Sequence, residues 1–150
     1  MPHSFTSNLV HVVFSTKTRR RDIDFEMQPR LWAFMGGMAR EREVCALTIG
    51  GTDDHLPLLL SLPAKLALAK VIQEIKAGSS KWIHETYASH HSFAWQEGYG
   101  AFSIGVSQVD DTVHYIRTQA EHHKKINFQQ EFVAFLKKHG IEYDERYIWG

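Results

Sequence analysis

The sequence predicts an α+β domain built on one antiparallel sheet. Three observations carry that reading. Apolar stretches of strand length alternate with stretches of helical periodicity. Two strand stretches are joined by the short turn Gly51-Thr52-Asp53-Asp54. The order along the chain is strand, helix, strand, strand, helix, strand. That order is the split β-α-β pattern of a ferredoxin-like sheet, with helices on one face, and a C-terminal helical appendix follows it. With 150 residues, of which 43% are hydrophobic, one domain spanning 1–150 with a real core is expected.

Residues 8–15 are β-branched and apolar, as a buried strand requires. Alternation puts Val10, Val12 and Phe14 on one face and Leu9, His11 and Val13 on the other. Residues 26–42 read as a helix with Leu31, Phe34, Met35 and Met38 as its core stripe. The Gly36-Gly37 pair weakens its middle, a cost that close packing would explain. Residues 44–50 and 55–62 read as an antiparallel hairpin. His55, Pro57 and Leu59 then share one face of the second strand, and Leu56, Leu58 and Leu60 the other. A helix over 64–77 is expected to stop near Gly78-Ser79-Ser80, with a short second helix at 81–84. Short strands are expected at 93–96 and 101–107. A helix follows from about 112 to 123, capped by Asp110 or Asp111. The last helix covers 128–139 and ends at Gly140, before an aromatic tail with Tyr143, Tyr147 and Trp149.

The 17 basic and 17 acidic residues cancel. A general nucleic-acid coat is therefore excluded, and any such binding must use local patches. Candidate patches are the loop Lys17-Thr18-Arg19-Arg20-Arg21, Lys76, Lys81, Arg117 and the run His122-His123-Lys124-Lys125. Each reads equally as a solvated surface. Trp82 and Trp95 read as core before they read as base-stacking platforms. Cys45 is the only cysteine, so an intramolecular disulfide and a multi-cysteine zinc site are both excluded. Its apolar neighbours predict a buried thiol. Met1-Pro2-His3-Ser4 has no charged or apolar leader character, so no signal peptide is expected. No apolar run approaches the ~18 residues of a membrane span. The expectation is a cytoplasmic protein without membrane contact.

Chemistry concentrates in two places. Asp53-Asp54-His55 opens a strand, and Tyr115 and Gln119 lie four residues apart on a predicted helix, a spacing that shares one helix face. Around them, Gly-Gly-Thr-Asp-Asp-His-Leu-Pro-Leu-Leu-Leu-Ser-Leu-Pro (50–63), Lys-Ala-Gly-Ser-Ser-Lys-Trp-Ile (76–83), Phe-Ala-Trp-Gln-Glu-Gly-Tyr-Gly-Ala-Phe (93–102) and Tyr-Ile-Arg-Thr-Gln-Ala-Glu-His-His (115–123) occur in register. Together they resemble the single-tyrosine HUH transposases of small insertion sequences and REP-associated elements, over nearly the whole chain. The resemblance implies Tyr115 as a nucleophile on single-stranded DNA, forming a 5′-phosphotyrosine. It implies His55 and Gln119 as ligands of Mg²⁺ or Mn²⁺. It also implies a subterminal DNA hairpin as partner and a homodimer as the working form. Lys17, Arg19, Arg20, Lys81, Arg117 and Lys124 become candidate DNA contacts.

The sequence departs from that pattern at Pro57, where the family's motif has its second histidine. Proline offers no ligand and no N–H, and it is rare inside central strands. Weakened cation binding is expected, with His11 as a replacement ligand if its strand neighbours that of His55. The alternative function is a catalytically inactive protein that binds single-stranded DNA hairpins. An RNA-binding ferredoxin-like domain is disfavoured because the aromatic pattern of such modules is missing.

Overall fold

All seven residues of the first strand, β1 (Leu9–Ser15), are buried. A strand is buried throughout only when it is interior to a sheet covered on both faces. β1 holds that position in a four-stranded sheet of order β2-β3-β1-β4, the ferredoxin-like order, with β2 (Cys45–Ile49), β3 (His55–Ser61) and β4 (Gly100–Ile104). All three pairings are antiparallel. The helices are α1 (Gln28–Glu41), α2 (Leu68–Thr86), α3 (Val109–Arg117) and α4 (Phe128–Lys138). This computed structural model describes residues 4–119 and 127–148. The readings of the run 122–125, including Lys124, and of Trp149 lie outside the described residues.

The expected alternation divides the sheet into a structural face and a working face. Val10, Val12 and Phe14 of β1 and Leu56, Leu58 and Leu60 of β3 form the main core with Leu31, Met35 and Ala39 of α1 and Val71, Ile72 and Ile75 of α2. Each of these side chains larger than alanine contributes roughly 1.5–3 kcal/mol by leaving water. On the opposite face, Val13 and Phe102 pack beneath Phe128, Phe132 and Leu136 of α4, and α3 lies against β2 and β3. Among the described residues, no helix is long and apolar enough to cross a membrane.

Several local expectations change. α2 runs unbroken through Gly78 to Thr86, so 81–84 is no separate helix. A Cβ at Gly78 would stand 2.1 Å from Met38 Cε, so this glycine lets α1 and α2 close on each other instead of ending a helix. Gly37, by contrast, has nothing within 4 Å, so no close approach explains it. Segment 93–96 makes only the isolated bridge Thr16–Trp95. Cys45 is exposed, because it opens β2 and β2 is an edge strand. Asp110 and Asp111 sit in the first turn of α3, with Gln108 as N-cap, where their charge still suits the helix dipole.

Pro57 is accommodated without breaking a ladder. In an antiparallel strand a residue's N–H and C=O face the same neighbour. The Pro57 carbonyl accepts from Gly50 N at 3.1 Å, on the side of β2. The paired residues of β2 end at Ile49, opposite Leu58. The missing N–H therefore faces Gly50, just beyond the paired residues of β2, and the β1–β3 register runs continuously from Leu9↔Ser61 to Ser15↔His55.

Candidate active site

His55 is fixed by the turn that precedes it. Thr52 N donates to the His55 carbonyl at 3.0 Å, closing the hairpin. Asp54 Oδ1 lies 2.7 Å from His55 Nδ1, and Thr52 Oγ1 lies 3.0 Å from the same nitrogen while donating to Asp54 Oδ1 at 3.1 Å. A carboxylate oxygen accepts, so Nδ1 carries hydrogen and Nε2 presents its lone pair to the working face. The ring is 1% exposed, and Phe128 of α4 lies over it with centroids 4.7 Å apart.

Gln119 meets that lone pair. Its Oε1 stands 3.1 Å from His55 Nε2. Its Nε2 is 3.4 Å from the Tyr115 carbonyl and 3.4 Å from Glu131 Oε1, both acceptors. Those two acceptors fix the amide with its oxygen toward the imidazole. Two acceptor atoms thus face each other, an arrangement satisfied by a second proton on His55 or by a cation. Adjacent ligands of an octahedral ion, each at roughly 2.1 Å, stand about 3.0 Å apart. The observed spacing therefore fits a divalent cation held by His55 and Gln119.

α3 ends at Arg117, with Thr118 as C-cap, and Gln119 is helical again after that one-residue break. The Tyr115 ring reaches different neighbours: His11 at 6.2 Å and Phe135 at 5.9 Å between centroids. Together with Gln108, Asp111, Thr112 and Lys138 these residues line a cleft of about 340 Å³. His11 does not fill the place of the missing ligand. It pairs with Leu59, four residues along β3 from His55, a separation of roughly 13 Å. Burial drives its pKa down to about 4, helped by the charges of His139 and Lys138, so it is a neutral imidazole beside the tyrosine.

Glu131 has no place in the sequence-based reading. It is 6% exposed and sits between Phe128 and Phe132 on the buried face of α4. Burial raises its carboxyl to about 7, with His55 pulling the other way. The signal for it is an acid three residues after Phe128 and four before Phe135, the spacings that share one face of a helix.

The basic candidates divide by layer. Lys17, Arg19 and Arg20 are exposed in the loop that leaves β1 directly after Ser15, the cross-strand partner of His55. That loop is tied to the His55 turn through Thr16 N donating to Asp54 O and Ile23 N donating to Asp53 O. Arg117 is exposed on α3. Lys81 is exposed on α2, across the sheet from these groups. Lys76 is committed internally: its Nζ donates to the carbonyls of Gln96, Glu97 and Gly98. Trp95 is core, its Nε1 donating to Ser79 Oγ. Trp82 stacks on Phe34 at 5.0 Å.

This architecture is shared with solved transposase structures. One is a putative transposase from Deinococcus radiodurans R1, with a TM-score of 0.66 and 13% identity, covering 78% of this chain and 96% of that one. Another is a REP-associated tyrosine transposase bound to a REP hairpin, with a TM-score of 0.62 and 14% identity, covering 91% of this chain and 86% of that one. The transposase for insertion sequence element IS200 of Salmonella typhimurium LT2 is 24% identical over 121 residues, which span 76% of this chain and 78% of the relative. Residues 4–119 match the family described as "Transposase IS200 like", and the chain belongs to that family.

Proposed function

We propose that the protein cleaves and rejoins single-stranded DNA beside a hairpin, with Tyr115 as nucleophile. The observation that carries this reading is the 3.1 Å approach of His55 Nε2 and Gln119 Oε1, four residues beyond a tyrosine that lines an open cleft. In the forward step the Tyr115 phenolic oxygen bonds to the scissile phosphorus and gives up its proton. The bond from phosphorus to the 3′ oxygen breaks, and that oxygen is protonated. The products are a 5′-phosphotyrosine and a free 3′-hydroxyl. The phosphodiester energy is kept in the tyrosyl ester, so the reverse attack by a 3′-hydroxyl rejoins strands without ATP. When bound to His55 and Gln119, Mg²⁺ or Mn²⁺ supplies Lewis-acid polarisation of the scissile phosphate.

Asp54 holds the His55 tautomer that keeps Nε2 available. Lys17, Arg19, Arg20 and Arg117 contact the DNA backbone, the electrostatic part of binding. The protein works in the cytoplasm as a homodimer, two chains serving two DNA ends. Pro57 leaves this pair of ligands one imidazole short of the family's motif, which lowers cation affinity.

The test is incubation with hairpin-bearing single-stranded DNA and Mn²⁺, followed by denaturing electrophoresis. The expected result is a covalent protein–DNA adduct that Tyr115→Phe abolishes. An adduct that persists in Tyr115→Phe defeats the assignment. Pro57 itself favours a second reading, a hairpin-binding protein without cleavage. That reading requires binding indifferent to chelator and no adduct. Recovery of the adduct in Pro57→His would then identify a disabled enzyme.

A further inference from the structure

Resting on the reading of His55 and Gln119 as cation ligands, we infer that Glu131 of α4 stands in for the imidazole that Pro57 removes. The site becomes a His55–Gln119–Glu131 seat for a divalent cation. Three observations converge on it. Glu131 is buried, 6% exposed, on an otherwise apolar helix face. Its Oε1 lies 3.4 Å from the Nε2 of the same Gln119 amide whose oxygen faces His55. Its helix is locked over that imidazole by the Phe128 ring, 4.7 Å from the His55 ring.

Burying a carboxylate among aromatic rings is costly. A divalent cation turns the cost into a gain, since hard cations take carboxylate oxygens preferentially. Among the described residues, no three histidine, cysteine or acidic side chains converge as a metal cluster; this set closes only because one of its members is an amide. The Glu131 side chain carries enough rotatable bonds to swing from the amide nitrogen onto an ion held by His55 Nε2 and Gln119 Oε1. The donor set is then one imidazole nitrogen, one amide oxygen and one carboxylate oxygen, with the remaining positions left to water and phosphate. Such a mixture suits Mn²⁺ and Mg²⁺ and is a poor match for soft metals.

The experiment is Mn²⁺ titration of the full chain, by calorimetry and by electron paramagnetic resonance of free Mn²⁺, without DNA. Wild type, His55→Ala, Glu131→Gln and the double variant Pro57→His/Glu131→Gln are compared, each checked for native circular dichroism. The expected result is one Mn²⁺ per chain in wild type, at least tenfold weaker binding in Glu131→Gln and in His55→Ala, and recovery in the double variant. If His55→Ala weakens binding and Glu131→Gln does not, the inference is overturned while the His55–Gln119 reading stands. If wild type takes up no Mn²⁺, or His55→Ala leaves binding unchanged, both are overturned. Should Glu131→Gln lose its native spectrum, Glu131→Asp, which withdraws the carboxylate by one methylene, takes its place with the same two outcomes.

Discussion

Asp54 and Gln119 act on His55 from opposite sides, and between them they settle what the ring can do. Asp54 accepts from Nδ1, and Gln119 presents an oxygen to Nε2. His11 is held differently. It is 4% exposed, ringed by Phe102, Tyr115 and Phe135, and its pKa falls to about 4 through burial, with His139 and Lys138 adding to the fall. The folded value lies below the ordinary 6.5. As pH drops from about 6.5 toward about 4, the unfolded chain binds a proton that the folded chain refuses. The associated stability is complete above pH 6.5 and is lost on the way down, by about 3 kcal/mol in all. Urea unfolding at pH 7.5 and pH 4.5 checks this: His11→Leu is expected to lose less stability than wild type over that interval. An equal loss in both would place the acid sensitivity elsewhere. The sequence made His55 and Gln119 readable because each lies in a stretch with family character. Glu131 was not readable in the same way. An acid in a helix is ordinarily a solvated residue, and only the packing of α4 against the sheet shows that this one points inward.

Elements place those residues by close approach. Gly50 ends the β2 segment beneath α3, and a Cβ there would stand 2.6 Å from the Ile116 backbone oxygen. Backbone cannot move aside cheaply, so Gly50→Ala is expected to push α3 off the sheet. Its cost should be about 1–3 kcal/mol, the ordinary penalty of overpacking. Gly37→Ala, in open space on α1, serves as the control and should stabilise by roughly 0.5–1 kcal/mol. Thermal denaturation of the two variants gives the comparison; a Gly50→Ala protein as stable as wild type would contradict the placement of α3. Strand order was legible from the succession of strands and helices, and period-two alternation in β1 and β3 divided their residues between the two faces of the sheet. Helix ends were less legible. Gly78 looked like a terminator and is instead a contact with Met38, which only the tertiary partner reveals. Likewise α3 breaks at Thr118, so the four-residue spacing of Tyr115 and Gln119 is not carried by one unbroken helix. The amide reaches His55 while the ring reaches His11.

At the scale of the molecule, one sheet separates two kinds of work. The face under α1 and α2 is apolar and supplies the main core. The face under α3 and α4 carries His11, His55, Gln119 and Glu131, all buried. Three of these, His55, Gln119 and Glu131, meet in one place. Family membership makes the chain a transposase relative, and the account of how it would act depends on that meeting point being a seat for a cation. Crystals grown with Mn²⁺ and measured at the manganese edge test this most directly. The expected result is an anomalous peak bounded by His55 Nε2 and Gln119 Oε1. A map with no peak there, and with His55 Nε2 still 3.1 Å from Gln119 Oε1, would contradict it.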